Sequence, residues 1–302
     1  MNTTYGTTNA KAQPYTAVPF DKVHVDDAFW APRQHINRVN TIPHIYRQLV
    51  ETGRINAFRP DWDPDEATRR RDSWGGTAVM FWDSDVAKWL EAASNSLAVH
   101  PDPELDALLD EVIARIASVQ HPDGYLNTWF TGVDPNGRWK NLRDWHELYC
   151  AGHLFEAGVA HFEATGKRSL LDVCCRYADY IDSVFGPREG QLRGYCGHPE
   201  IELALIRMAR VTGEDRYLAL ARYFVDERGR EPLYFDVEAL ARGEDPQRFW
   251  ARSYEYNQAH LPVREQPEVV GHAVRAVYLY SAMADLAGID GDTSLLEACR
   301  RL

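Results

Sequence analysis

An internal repeat constrains the fold of this 302-residue chain more than any other feature of its sequence. Three segments, at residues 146–166, 198–213 and 272–288, each begin with a histidine, continue with the apolar spacing of a helix and end at a glycine. A more charged amphipathic segment follows each of them. Because a glycine commonly ends one helix before the next begins, the repeat predicts a fold built from helix pairs.

Helix pairs in repeat either stack into an open solenoid or close into a toroid of inner and outer helices. The first helix of each pair carries little charge after its opening turn, which suits an inner helix that is buried on both sides. We therefore expect an all-α fold, an (α/α)6 toroid or barrel, with a short strand near its start. The sequence ends inside a helical pattern at residues 295–302, so we expect the barrel to be incomplete at its C-terminus.

The predicted domain organisation is one helical domain over residues 16–302, preceded by a polar leader at residues 1–15 that we expect to be disordered. The short strand is predicted at residues 20–25. Asp26 or Asp27 is expected to cap the first helix, and Pro43 is expected to interrupt it. The predicted helices run over about residues 29–50, 83–98, 103–120, 143–165, 168–185, 199–212, 214–228, 266–287 and 292–302.

Charge and cysteine usage exclude several classes of protein. The formal net charge of −12 and the scattered acidic surplus leave no basic face for a phosphate backbone, which argues against a nucleic-acid partner. No signal-peptide pattern and no apolar membrane anchor is readable, so no membrane partner is expected and the cytoplasm is the expected location. Five cysteines without a CxxC motif fit a reducing compartment, and they argue against a zinc site formed by this chain alone.

The histidines that open the three repeats are candidate ligand-binding residues. His146, His198 and His272 take equivalent places at the N-terminal ends of three inner helices, which converge on one mouth of a toroid. Helix N-termini favour hydroxyl-rich or anionic ligands, and imidazole supplies a donor and an acceptor for sugar hydroxyls. The alternative for each histidine is a cap or a core position. Glycoside hydrolysis usually needs two carboxyl groups about 5 to 9.5 Å apart, and the sequence does not single out such a pair.

Five motifs in one order extend the comparison to a known family. They lie at residues 81–91, 146–153, 197–204, 223–229 and 262–275, and they include Phe81-Trp82-Asp83-Ser84-Asp85, His146-Glu147-Leu148-Tyr149, Gly197-His198-Pro199-Glu200 and Gly271-His272-Ala273-Val274-Arg275. In order and spacing over residues 18–302, this series resembles the β-L-arabinofuranosidases of glycoside hydrolase family 127.

The resemblance implies an (α/α)6 barrel followed by β-sandwich domains, with a sugar held in the barrel mouth. It implies that His146, His198 and His272 line the sugar pocket, and from the first motif Trp82 and Asp83 join them as predicted substrate-binding residues. It also implies a retaining mechanism with a zinc-bound cysteine thiolate as nucleophile and a glutamate as acid/base.

The family motifs that carry this chemistry are a Gly-Glu segment, a Glu-Thr-Cys segment and a Cys-Cys pair before proline, and none occurs here. Cys174-Cys175 lacks the proline and receives no catalytic role; its helical pattern predicts a structural one. We therefore assign no catalytic residue and no metal ligand to this chain. Zinc is expected for the complete family protein, and weak or absent hydrolysis for this chain.

Two further functions stay open at this point. One is a sugar epimerase or an unsaturated-uronide hydrolase on the same toroid, with histidine or aspartate as acid/base and without a metal. The other is a non-catalytic sugar-binding or assembly scaffold, in which an exposed apolar helix face forms a homodimer.

Overall fold

The described part of the structure, residues 18–64 and 79–302 of a computed structural model, is helical and contains no β-strand. The predicted all-α class is therefore confirmed, whereas the predicted leader lies outside the described residues. The helices are α1 Trp30–Ile36, α2 Ile42–Glu51, α3 Asp83–Val99, α4 Pro103–Ser118, α5 Trp129–Gly132, α6 Glu147–Thr165, α7 Ser169–Val184, α8 Ile201–Thr212, α9 Asp215–Glu227, α10 Tyr234–Ala241, α11 Ala273–Asp290 and α12 Thr293–Arg301.

The short strand predicted at residues 20–25 is wrong. A 3-10 turn covers Phe20–Lys22, and residues 23–26 after it are not assigned to a strand. Phe20 and Val23 are both exposed, so the alternating pattern has no core to face. A strand also needs a neighbour to pair its backbone groups, and none of the described segments supplies one here.

The first predicted helix is interrupted as expected near Pro43. A π-turn at Asn37–Thr41 separates α1 from α2, and Pro43, which has no N–H to donate, falls in the first turn of α2. Asp27 Oδ1 accepts the backbone N–H groups of Phe29 and Trp30, which confirms the predicted cap.

The chain is divided into two compact units. The first unit comprises Trp139–Gly152 and Ile181–Leu302, and the second comprises Ala17–Arg138, as far as it is described, together with His153–Tyr180. Helix α6 begins in the first unit and ends in the second.

The first unit contains two of the predicted helix pairs. Helices α8 and α9 pack together after a left-handed turn at Gly213, and α11 packs against α8, α9 and α12. Helix α11 extends past the expected end at Gly288, because the left-handed glycine that terminates it is Gly291. It also begins later than residue 266, directly after His272. Asp292 then caps α12 by accepting the N–H of Leu295 at 3.0 Å.

The second unit contains α1 to α5, the C-terminal part of α6 and most of α7, whose last four residues belong to the first unit. Asp102 caps α4 through the N–H groups of Glu104 and Leu105, with Pro103 at the first helical position. Cys174 is fully buried in α7 and its thiol donates to the carbonyl of Leu154, so it has a structural place. No helix in the described ranges has both the length and the apolar character to cross a bilayer.

Candidate functional site

The three repeat histidines lie together in the first unit. The ring centroids of His146 and His198 are 5.6 Å apart, and those of His198 and His272 are 5.8 Å apart. His146 directly precedes α6, His272 is the N-cap residue of α11, and His198 lies in the loop before α8. The structure thus brings the three side chains into one continuous row, the three-histidine row, with His198 in the middle.

Tyrosine rings flank this row. The ring centroid of Tyr149 is 4.4 Å from that of His198 and 5.4 Å from that of His146. Tyr278 lies 6.0 Å from His198, measured between ring centroids, and Tyr256 lies 5.6 Å from His272. Aromatic faces beside hydrogen-bonding imidazoles suit a ligand with both apolar and hydroxyl surfaces.

The protonation state of His198 follows from its surroundings. Its Nδ1 lies 3.0 Å from the carbonyl oxygen of Pro199, and because a carbonyl only accepts, Nδ1 carries the proton. Nε2 is therefore the acceptor of this ring. Burial, together with nearby His146 and Arg275, lowers the pKa of His198 to about 2, so the imidazole is neutral at physiological pH. Burial and Arg275 also lower the pKa of His272.

Glycines directly before two of the three histidines allow close approaches of the backbone. A Cβ on Gly197 would lie 2.0 Å from the carbonyl oxygen of Arg143, so the loop before His198 touches the segment that leads to His146. Gly271 has a φ of +75°, and a Cβ there would lie 2.0 Å from the carbonyl oxygen of Glu255. Only glycine fits these approaches without a backbone shift.

Two buried carboxylates bind the backbone of the segment before His146. Glu238 accepts the N–H groups of Leu142 at 2.8 Å and Arg143 at 2.9 Å. Burial raises the pKa of Glu238 to about 7. Glu147 accepts the N–H of Trp139 at 2.7 Å, and Trp139 itself has a φ of +59°. The segment before His146 is therefore fixed at both ends by side chains.

A buried ion pair supports the loop that carries His198. The Arg228 guanidinium, which is fully buried, donates to Glu202 Oε1 at 2.9 Å. It also donates to the carbonyl of Cys196 at 2.6 Å and to that of Asn257 at 2.9 Å. Asn257 in turn donates through Nδ2 to the carbonyl of Gly197 at 2.9 Å. Sequence reasoning missed this pair, because nothing in its spacing distinguishes it from surface charges.

Trp82 and Asp83 belong to the second unit, where both are buried. Trp82 Nε1 donates to Thr128 Oγ1 at 2.7 Å, and Thr128 donates to Asp83 through its hydroxyl and its backbone N–H. Burial raises the pKa of Asp83 to about 6. These bonds give both residues a structural place, and their predicted ligand contact stays a prediction.

A cavity of about 300 Å³ in the second unit adjoins these residues. Its lining includes Trp62, Asn127 and Thr128, and the ring of Trp62 lies 5.7 Å from that of Trp82. Asn127 is buried, and its Nδ2 has no hydrogen-bond partner among the described residues. The cavity wall thus offers a free amide donor beside an indole ring.

One group of described side chains has ligand atoms close enough for a metal ion. Oxygens of Asp106 and Asp110 and a ring nitrogen of His161 lie within 4.8 Å of one another. The Lys167 ammonium contacts both carboxylates at 2.7 Å and so already offsets part of their negative charge. This group contains no cysteine, so it does not match the zinc–thiolate set that the resemblance implies. Burial also raises the pKa of the Cys174 thiol well above its usual value.

Comparison with known proteins gives one family. The sequence model described as β-L-arabinofuranosidase, GH127 catalytic domain, matches residues 22–302. Over 229 residues the chain is 42% identical to the non-reducing end β-L-arabinofuranosidase of Bifidobacterium longum subsp. longum. This aligned region covers 74% of this chain and 35% of that protein.

Solved structures agree. A GH127 β-L-arabinofuranosidase from Geobacillus stearothermophilus T6 is 49% identical with a TM-score of 0.86, over 92% of this chain and 44% of that one. A second GH127 β-arabinofuranosidase is 38% identical with a TM-score of 0.79, over 94% of this chain and 42% of that one. The chain thus spans about a third of the curated relative and less than half of either solved structure.

Proposed function

Because this chain belongs to the β-L-arabinofuranosidases of glycoside hydrolase family 127, we propose that it provides the sugar-binding part of an enzyme that releases β-L-arabinofuranose. The observation that carries the proposal is the three-histidine row with its flanking tyrosines. The imidazole rings supply donors and acceptors for hydroxyl groups, and the tyrosine faces supply apolar surface for the sugar ring.

The proposed contacts at the row can be made specific for His198. With Nδ1 bonded to the carbonyl of Pro199, Nε2 accepts a hydrogen bond from a sugar hydroxyl. His146 and His272 are proposed to contact further hydroxyls from either side. We also retain Trp82 and Asp83 as proposed ligand contacts, supported by the cavity that adjoins them.

Binding of L-arabinose, followed by isothermal titration calorimetry, tests the proposed row. We expect His198→Ala to lower the affinity by about tenfold, the loss of one good hydrogen bond in a desolvated site. His35→Ala, at an exposed histidine of α1, is the matched control and should bind as the wild type does. Equal affinities for all three proteins would contradict the proposal.

Hydrolysis itself is tested with p-nitrophenyl β-L-arabinofuranoside and a zinc assay, on this chain and on a longer protein that has the length of its relatives. We propose that zinc and turnover require the longer protein, since the described residues do not match a zinc–thiolate site. Turnover by this chain after strong chelation would instead favour metal-independent chemistry by histidine and carboxylate.

Location and assembly are proposals as well. Five free cysteines support a cytoplasmic location, which cell fractionation tests. A homodimer is proposed from exposed apolar residues of α11, such as Val274 and Val277, and light scattering of the purified chain tests it.

A further inference from the structure

Arg275 is a buried cation without an ionic partner in the described part of the chain. It is 6% exposed, and its Nε and Nη1 atoms make no hydrogen bond within residues 18–64 and 79–302. The guanidinium carbon lies 4.3 Å from the ring centroid of Tyr256, a favourable contact that leaves the charge uncompensated. Buried charges in proteins are normally paired or bound to a ligand, because burying an isolated one is costly.

Arg228 shows what an ion-paired buried arginine looks like in the same unit, even though its Nε makes no hydrogen bond with a described residue. It is bonded to the Glu202 carboxylate and to two backbone carbonyls. The carboxylate that acts electrostatically on Arg275 is Asp144, and it is already engaged by Arg143 at 2.7 Å and by Trp250 at 3.1 Å. Asp144 therefore does not neutralise Arg275.

The position of Arg275 places its charge at the three-histidine row. Arg275 lies one turn after His272 at the start of α11, where the helix dipole adds to the positive potential. Its charge contributes to the lowered pKa values of His198 and His272, after the larger effect of burial. Three imidazole rings, a guanidinium and a helix N-terminus thus lie in one region, and none of them is negative.

We infer that Arg275 forms an anion-binding subsite beside the three-histidine row and that its ligand is a carboxylate. A planar guanidinium binds a carboxylate through two parallel N–H···O bonds, and Nε with a terminal nitrogen is one such pair of donors. The carboxylate is either a small free acid or one carried by a sugar, as in a uronic acid. This inference rests on the proposed function in one respect, that the row binds carbohydrate.

Galacturonate and galactose are the matched probes, because they differ at the carboxylate alone. We expect the wild type to bind galacturonate at least about tenfold more tightly than galactose, the effect of a charge-assisted hydrogen bond. Arg275→Gln should bring galacturonate down to the affinity of galactose, and Arg275→Lys should retain part of the difference. Arg300→Gln, at an exposed arginine of α12, should change nothing. Acetate separates the two sources: binding as tight as that of galacturonate identifies a free-acid subsite.

Thermal unfolding gives a readout that does not depend on the sugar. Because no ionic partner is lost, Arg275→Gln should unfold at or above the wild-type temperature, and galacturonate should raise the midpoint of the wild type alone. Equal binding of galacturonate and galactose, or a strongly lowered midpoint for Arg275→Gln, would overturn the inference. If carboxylates bind through Arg275 while L-arabinose does not bind at all, the proposed function fails and the anion subsite stands.

Discussion

The buried pair of Arg228 and Glu202 allows a stability effect to be worked out from the contacts. Arg228→Met leaves the Glu202 carboxylate, whose side chain is 1% exposed, without its cation. Breaking a buried pair in this way costs about 3–5 kcal/mol. Two carbonyls, those of Cys196 and Asn257, also lose their donor, at about 1–3 kcal/mol for an unsatisfied buried group.

The double variant Arg228→Met/Glu202→Leu separates these contributions. It removes the uncompensated carboxylate, leaves the carbonyl cost and takes the acceptor from the Glu200 N–H, which Glu202 Oε2 bonds at 3.0 Å. Because the unpaired buried charge is the largest of these costs, we expect the double variant to be more stable than Arg228→Met alone. Arg193→Met is the control, since Arg193 is about half exposed and its pairing with Glu227 should contribute less than about 1 kcal/mol.

Urea unfolding followed by far-UV circular dichroism measures all three variants against the wild type. The expected order of unfolding free energy is wild type and Arg193→Met first, then the double variant, then Arg228→Met. The reasoning is refuted if Arg228→Met is no less stable than Arg193→Met, or if the double variant is the least stable of the set.

Three further predictions concern the same loops. Gly197→Ala should abolish L-arabinose binding in calorimetry, because the new Cβ collides with the carbonyl of Arg143. Circular dichroism should show that the helices are retained. Gly213→Ala, at a glycine with open space around it, is the control for binding. The raised pKa of Glu238, about 7 against an ordinary 4.5, means that the folded protein holds a proton which the unfolded chain releases, so this group's contribution to stability falls as the pH rises through that window. Urea midpoints near pH 5 and pH 8 should differ less in that direction for Glu238→Gln than for the wild type, and an unchanged difference contradicts the assignment. His198 acts oppositely: its folded pKa of about 2 against an ordinary 6.5 means that stability is lost as the pH falls below about 6.5, and His198→Gln should reduce that loss in the same titration.

The helix pairs could be predicted from the sequence because the repeat and its glycines encode them locally. Helices α8, α9 and α12 begin and end within one or two residues of the predicted bounds. Errors arose where a local signal had two solutions. Gly288 and Gly291 could each end α11, and the alternating residues at 20–25 could form a strand only beside a partner strand.

The three-histidine row was also predictable, since equivalent repeat positions are equivalent in space. The contacts of the residues around the row could not be predicted. Arg275 stood in a recognised motif, but burial and the absence of a partner depend on residues distant in sequence. The same holds for Glu238, which bonds to a backbone almost a hundred residues away. Short helices such as α5 and α10 carry too few turns to give a period.

The hydrogen bonds of Arg228 have a consequence for the order of folding. They join residues 196, 202, 228 and 257, so the loop that carries His198 acquires its last support only after α9 and the chain beyond α10 have arrived. Local helices form early, whereas contacts between distant segments wait for loop closure. The three-histidine row is therefore among the last parts of its unit to be organised, and a partly folded chain can be rich in helix while its histidines are still unaligned.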